Sequence, residues 1–320
     1  MAVSVLVGVD IGGSGLRLRT SVDGRLGETW TAPGVRVGVA GIDLDALLSS
    51  AESLLHDDSR LREDDVPDVV VWSMRGLLGL TDPRSVLSGV AARLGANRTV
   101  VCTDALSSLV GALGAVRPGA VVAAGSGAVA FGTDFAEVWR RVDGWGHVLG
   151  DRGSGAWVGL EGLRAALRAR DGVADGGASL LAAAEEHFGD PAAWPRLVMT
   201  RPDAPALLAG FAPRVTALAD RDPAAGAICV AAGCALAASL SAAAAGIDAA
   251  SVSATGGLLQ AEPVRRAFAA AGAAAGLTLV APRDTSLGGA MELARHLADG
   301  GTLPHRPPYL LVTDAGGRPG

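Results

Sequence analysis

Five short stretches hold the residue types that could do chemistry. In "VGVDIGGSGLR" an apolar run ends in Asp10 and leads into Gly12, Gly13, Ser14 and Gly15, with Arg17 just beyond. Asp104 closes the run "RTVVCTD", and Gly125, Ser126 and Gly127 repeat the first glycine turn later in the chain. "GWGHVLGDRGSG" gathers Gly144, Trp145, Gly146 and Asp151, and "ATGGLL" contains Gly256 and Gly257. A glycine turn lets main-chain N–H groups approach phosphate oxygens with no Cβ in the way, and a serine adds a hydroxyl donor. Beside such a turn, Asp10 either caps the bend or holds Mg²⁺, directly or through water. Asp104 either caps a helix or acts as a general base on a substrate hydroxyl, and one residue can do both. An indole held on a loop, as Trp145 is, can pack on the apolar face of a sugar while Asp151 accepts hydroxyl hydrogen bonds. The plainer reading of that segment is an ordered loop with a core tryptophan and a capping aspartate.

These residues need elements to position them. Residues 3–10 read as a strand. Leu16, Leu18, Thr20 and Val22 then alternate with Arg17, Arg19 and Ser21, so a second strand follows the glycines. Asp23-Gly24 turns the chain towards a third. A dinucleotide fingerprint needs a helix after its glycines and a third glycine where Leu18 stands, so that reading fails. Residues 43–57 form an amphipathic helix, "DVVVWSM" a buried strand, 85–94 a short helix, and "RTVVCTD" a further strand before the helix that Asp104 caps. "GAVVAAGSGAVAFGTD" is again strand, glycine turn, strand, with Val122 in the place of Asp10. Two related domains, or chance in a glycine-rich chain, would produce this repeat. Helices are expected at about 154–170, 179–187, 204–220 and 223–245. A strand at 251–254, a helix near 263–275, the strand "LTLVAP" and a last helix "SLGGAMELARHLA" follow.

Bulk properties narrow the classes. A chain of 320 residues, 49% hydrophobic, has room for two domains. A net charge of −6 gives no basic field for nucleic acid. All 27 basic residues are arginine, which excludes a P-loop lysine and a Schiff-base lysine. Cys102, Cys229 and Cys234 have no metal-site spacing and read as buried, inert thiols. Their sparse use and the absence of a secretory pattern in "MAVSVLVGVD" suggest a cytoplasmic protein. Residues 224–246 carry no charge and have about the length of a bilayer span. They are mostly alanine, glycine and serine without aromatic belts, so a buried helix is expected and no membrane partner.

Taken together, the motifs resemble the BadF/BadG/BcrA/BcrD-type ATPase family, which includes N-acetylglucosamine kinase-like sugar kinases and lies within the actin, hexokinase and heat-shock-chaperone superfamily. "GWGHVLGDRGSG" is similar to the family's sugar-loop segment. "VDIGGSGLR" and "AAGSGA" look like its two phosphate motifs, "TDALSS" like its catalytic-aspartate motif and "ATGGLL" like its adenosine motif. The resemblance implies an α/β fold of two ribonuclease-H-like, actin-like ATPase domains with an interdomain cleft. The domains would be 1–117 and 118–284, with a helix at 285–299 packing back on the first and an extended or mobile tail at 300–320. The cofactors would be ATP and Mg²⁺, and the partner a small-molecule sugar; a homodimer is compatible with it. Asp104 would be the base acting on a sugar hydroxyl, O6, and Asp10 would organise the metal. Gly12, Gly13, Ser14, Gly15 and Arg17 would meet phosphates with Gly125, Ser126 and Gly127. Gly256 and Gly257 would border the nucleoside. Gly144, Trp145, Gly146, Asp151 and Asp104 would meet the sugar. The chain departs from the family at Ser14 and Ser126, where threonine is usual, at Ala128 for serine, and at Arg152 for glutamate. A kinase for another hexose or a sugar acid, a dehydratase activator, and a non-catalytic sugar sensor are the rival readings.

Overall fold

The computed structural model describes residues 3–12, 15–33, 37–38, 41–62, 64–77, 82–173, 176–248 and 251–313; Gly13, Ser14 and residues 314–320 lie outside them. β1 (Val5–Gly12) is buried along nearly its whole length, as expected of a mostly apolar strand covered on both faces, with Asp10 its one charged residue. It pairs antiparallel with β2 (Gly15–Val22), which pairs antiparallel with β3 (Arg25–Ala32). Asp23 and Gly24 between them both adopt positive φ, the turn that matches the twist of a two-residue hairpin. A two-stranded hairpin of β4 (Val37–Gly38) and β5 (Gly41–Ile42) precedes α1 (Leu44–His56), which Asp43 caps. β6 (Val69–Met74), α2 (Pro83–Leu94), β7 (Arg98–Thr103) and α3 (Asp104–Leu113) follow in alternation.

The second run of elements is β8 (Gly119–Ala124), β9 (Ala128–Thr133), β10 (Trp139–Asp143), α4 (Gly155–Arg170), α5 (Ala178–Phe188), α6 (Trp194–Met199), α7 (Ala204–Ala217), α8 (Pro223–Ala244), β11 (Ser251–Thr255), α9 (Glu262–Ala274) and β12 (Leu279–Val280). α10 (Ser286–Ala298) and β13 (Leu310–Val312) end the described chain. The chain divides into two units: Met1–Gly119 with Thr133–Trp139 and Ala281–Gly320, and Ala120–Gly132 with Arg140–Val280.

The sheets have the order β13-β7-β6-β1-β2-β3 and β10-β9-β8-β11-β12. β1 has β2 and β3 on one side and β6 and β7 on the other, and β8 likewise has β9 and β10 on one side and β11 and β12 on the other. The fold is therefore α/β with two ribonuclease-H-like domains of the actin-like ATPase class. One unit's core packs Val5, Val7, Val9 and Ile11 of β1 against Leu47 and Leu48 of α1 and Leu87 and Val90 of α2. The other unit's core gathers β8, α4, α7 and α8 around Phe211, Leu236 and Leu240. Among the described residues α8 is the one helix long and apolar enough to cross a membrane by length and composition, and Ile228, Leu236 and Leu240 on it are buried in that core.

Several expectations change. The cap of α3 is Thr103, whose hydroxyl accepts from Leu106 N at 3.4 Å; Asp104 is instead the first helical residue. Thr103 and Asp104 are both good caps, and the end of β7 decides between them. Cys102 and Cys229 are buried, but Cys234 is exposed on the outer side of α8. α6 lies outside the helices expected from the sequence; its Pro195 falls in the first helical turn, where proline is tolerated. Within the segment beyond Gly300, Leu310–Val312 pair antiparallel with β7, and Leu310 and Leu311 are fully buried.

Candidate functional site

In unit 1 the strand register builds a row of side chains across the sheet. Asp10 lies opposite Arg17 on β2 and Ser73 on β6, and Ser73 lies opposite Cys102 on β7. Residues opposite one another in neighbouring strands share a face, so this row follows from the pairing alone. Asp10 is 1% exposed. One of its oxygens pairs with the Arg17 guanidinium, and the other accepts from Ser73 Oγ at 3.1 Å. A buried carboxylate needs such partners, because without them its charge would be lost to protonation.

The row reaches α3 through a second serine. Ser73 Oγ and Ser107 Oγ are 2.7 Å apart, both serines fully buried, and Ser107 Oγ lies 3.0 Å from the carbonyl oxygen of Asp104. Each hydroxyl has one proton. Ser73 gives its proton to Asp10, so Ser107 gives its own either to Ser73 or to the Asp104 carbonyl. This chain ties the carboxylate on β1 to the helix whose first residue is Asp104. At that position the helix dipole favours a negative side chain. Asp104 itself is half-buried. Burial raises the pKa of the Cys102 thiol, and the charges of Asp10 and Asp104 raise it further, so both carboxylates act on the same thiol.

α10 fixes α3 from behind. A Cβ on Gly289 would lie 1.8 Å from Ser107 O, and one on Gly111 would lie 2.0 Å from Thr285 O. The two helices cross where neither has a side chain, and this sets the depth of Ser107 and Asp104. Gly12 pairs with Gly15 at the end of the hairpin, and Arg17 Nη2 lies 3.8 Å from where a Cβ on Gly12 would be.

The donor set suits a nucleotide-borne magnesium. No group of three or more His, Cys, Asp and Glu able to hold a metal occurs among the described residues. Magnesium bound with phosphates needs only one or two protein carboxylates, since water and phosphate supply the rest. Asp10 fits that role, provided Arg17 gives way.

In unit 2 the second glycine turn is built into the start of α4. Gly125 O accepts from Gly155 N at 2.8 Å, and Ser126 O accepts from Ala156 N at 3.0 Å. Ser154 caps the helix by accepting from Trp157 N at 3.1 Å. The loop before it is organised by two carboxylates. Asp143 accepts from Asp151 N at 2.7 Å and Arg152 N at 2.8 Å, and Asp151 Oδ1 accepts from Gly146 N at 3.0 Å. Ser154 N in turn donates to Asp151 O at 2.9 Å. The turn, the loop with Gly144, Gly146 and Asp151, and the start of α4 therefore form one hydrogen-bonded body.

Gly256 joins it from β11. Its φ is +111°, and a Cβ there would lie 2.2 Å from Ala124 O, so glycine is required for the backbones to meet. Gly125 and Gly257 differ: a Cβ on either meets nothing within 4 Å, so the space over them is open. Trp145 is 66% exposed, and the Arg141 guanidinium sits 4.5 Å from its ring centre. One face of the indole is thus taken by a cation, and any sugar would use the other. Arg141 also donates to Gly144 O.

The sequence reading missed Ser73, Ser107 and Asp143. Ser73 stood out as a polar residue in an otherwise apolar strand, a sign of a buried partner.

A model of the BadF/BadG/BcrA/BcrD ATPase family matches residues 7–294. The chain is 33% identical over 92 residues to an N-acetylmuramic acid/N-acetylglucosamine kinase of Clostridium acetobutylicum, covering 28% of this chain and 30% of that protein. It is 29% identical over 183 residues to an N-acetyl-D-glucosamine kinase of Dictyostelium discoideum, covering 54% of this chain and 57% of that one. The matches thus span about a third and just over half of these relatives' lengths. A solved structure of a candidate N-acetylglucosamine kinase from Chromobacterium violaceum superimposes with a TM-score of 0.69 at 25% identity, covering 91% of this chain and 99% of that one. With the family model running through both units, the chain belongs to the BadF/BadG/BcrA/BcrD ATPase family.

Proposed function

We propose that the protein is an ATP-dependent sugar kinase that phosphorylates a hydroxyl, O6, of an amino sugar such as N-acetylglucosamine or glucosamine. The observation that supports this most is the buried row Asp10–Ser73–Ser107, which ties the carboxylate on β1 to the helix that begins at Asp104. It joins β1, which carries a carboxylate suited to a metal, to α3, whose first residue carries a carboxylate suited to a hydroxyl proton. The names of the relatives supply the substrate class.

In this reading the Asp104 carboxylate accepts the proton of the sugar hydroxyl as its oxygen bonds to the γ-phosphorus. The bond from that phosphorus to the β,γ-bridging oxygen breaks, and ADP leaves. Asp10 would hold Mg²⁺, which when bound would screen the phosphate charge. Main-chain amides of the two glycine turns, with Ser14 and Ser126, bind phosphate oxygens. The loop with Gly144, Trp145, Gly146 and Asp151 orients the sugar, and Gly256 and Gly257 border the nucleoside.

The test is a coupled assay of ADP release from Mg-ATP across hexoses, hexosamines, their N-acetyl forms and sugar acids. An amino sugar should give the highest turnover. Asp104→Asn should lower kcat by about 10²–10⁴-fold, the range for loss of a general base, with ATP binding kept. Turnover highest with a sugar acid would move the substrate assignment. Tight sugar binding without ADP release would replace the kinase with a sensor.

A further inference from the structure

Arg17 and Arg60 both neutralise a buried aspartate, but they hold it differently. Arg60 grips Asp58 with two prongs, Nε to Oδ1 at 2.9 Å and Nη2 to Oδ2 at 2.6 Å, and also bonds Thr20 Oγ1. Nη1 donates to Arg25 O at 3.4 Å, so each nitrogen of that fork has a partner. Arg17 touches Asp10 with Nη2, and its Nε is buried with no hydrogen-bond partner among the described residues. A buried donor left unpaired is costly, and such a group in a native fold calls for an explanation. The Arg17 side chain is also 40% exposed, whereas that of Asp10 is 2% exposed. The cation therefore has a way out and the carboxylate does not. Its guanidinium lies beside Gly12, at the end of the first glycine hairpin.

We infer that Arg17 is a movable counter-cation: it neutralises Asp10 in the protein alone and transfers to phosphate oxygens when a nucleotide binds, so that Asp10 takes a divalent cation only together with that nucleotide. This rests on the sugar-kinase reading for the identity of the phosphate ligand. The physics is an exchange of partners. Phosphate offers the guanidinium a second acceptor geometry, with two parallel bonds, which Asp10 does not give it. Once Arg17 has moved, Asp10 is a buried carboxylate lacking a counter-charge, which is the condition for holding a cation. A fixed ion pair of the Arg60 kind would exclude metal permanently.

Two measurements test it, and neither reads turnover. Binding of Mn²⁺ without nucleotide is followed by electron paramagnetic resonance. The wild type should bind none at this site. Arg17→Gln should gain one site, and Asp10→Asn/Arg17→Gln should lose it again. Metal-free ATP binding is then measured by calorimetry in the presence of a chelator. Asp10→Asn releases Arg17 without removing it and should bind ATP about tenfold more tightly, the worth of one charge-assisted hydrogen bond. The inference is overturned if Arg17→Gln gains no Mn²⁺ site, if the wild type binds Mn²⁺ as well as that variant does, or if Asp10→Asn binds ATP no more tightly than the wild type. If Arg17→Gln does not fold, the Asp10→Asn measurement decides alone. If neither the wild type nor any variant binds ATP, the kinase reading fails, and the Mn²⁺ measurement still decides whether Arg17 locks Asp10.

Discussion

In unit 1 the buried carboxylates face guanidinium groups: Asp10 meets Arg17, and Asp58 meets Arg60. In unit 2 they face main-chain amides. Asp151 takes Gly146 N, and Asp222 takes Gly177 N, Ser179 N, Leu180 N, Ala224 N and Ala225 N. Asp222 thereby caps α8 and also holds the start of α5, so one carboxylate serves two helix N-termini. The two sheets share a strand order, yet they stabilise charge by different means. A side-chain cation can move or be screened. An amide fixed in a helix end cannot. Unit 1 therefore has the parts of a switch, and unit 2 has the parts of a rigid cradle.

The largest expected effect tests the cradle. Asp222→Ala leaves five amides at two helix ends without their acceptor, and stability should fall by about 3 kcal/mol. Hydrogen exchange should show the loss first in α5 and α8. If α5 stays protected, the double-capping account is wrong.

The next effect tests the ion pair. Arg60 beside Asp58 holds its carboxyl at a pKa of about 2, against an ordinary 3.8, assisted by Thr20. A depressed carboxyl contributes fully above its unfolded pKa and loses that contribution as pH falls through its folded one. The wild type should therefore lose about 2 kcal/mol between about pH 4 and pH 2 through this group. Asp58→Asn should remove that slope from a series of urea midpoints; an unchanged slope would place the acid sensitivity elsewhere.

The smallest effect on stability is expected at Gly125→Ala. Its Cβ would meet open space, so the change should stay within about 0.5 kcal/mol while nucleotide affinity drops. A large loss of stability with affinity kept would mean that this glycine serves the fold and not a ligand.

Much of this arrangement is legible in the chain. The strand–turn–strand around Gly12 follows from alternation, and the hairpin register then puts Asp10 opposite Arg17 by simple counting. The glycine repeat marks the first two strands of both sheets. The serine pair is not legible. Ser73 and Ser107 meet only once β1 and β6 are in register and α3 has docked, and no local pattern encodes either event. β13 is hidden for a related reason, since a three-residue strand exists only because β7 offers it an edge. The cap of α3 was one residue off because two adjacent side chains could each have supplied it.

α10 and β13 belong to unit 1, although they are joined to it through the whole of unit 2. As the nascent chain leaves the ribosome, Asp10, Ser73 and Ser107 emerge before unit 2, but the helix that covers them is made after it. Unit 2 can close while its elder neighbour still exposes an unfinished sheet, which makes that sheet the stretch most in need of chaperone shelter. Of the two units, the one begun first is the one completed last.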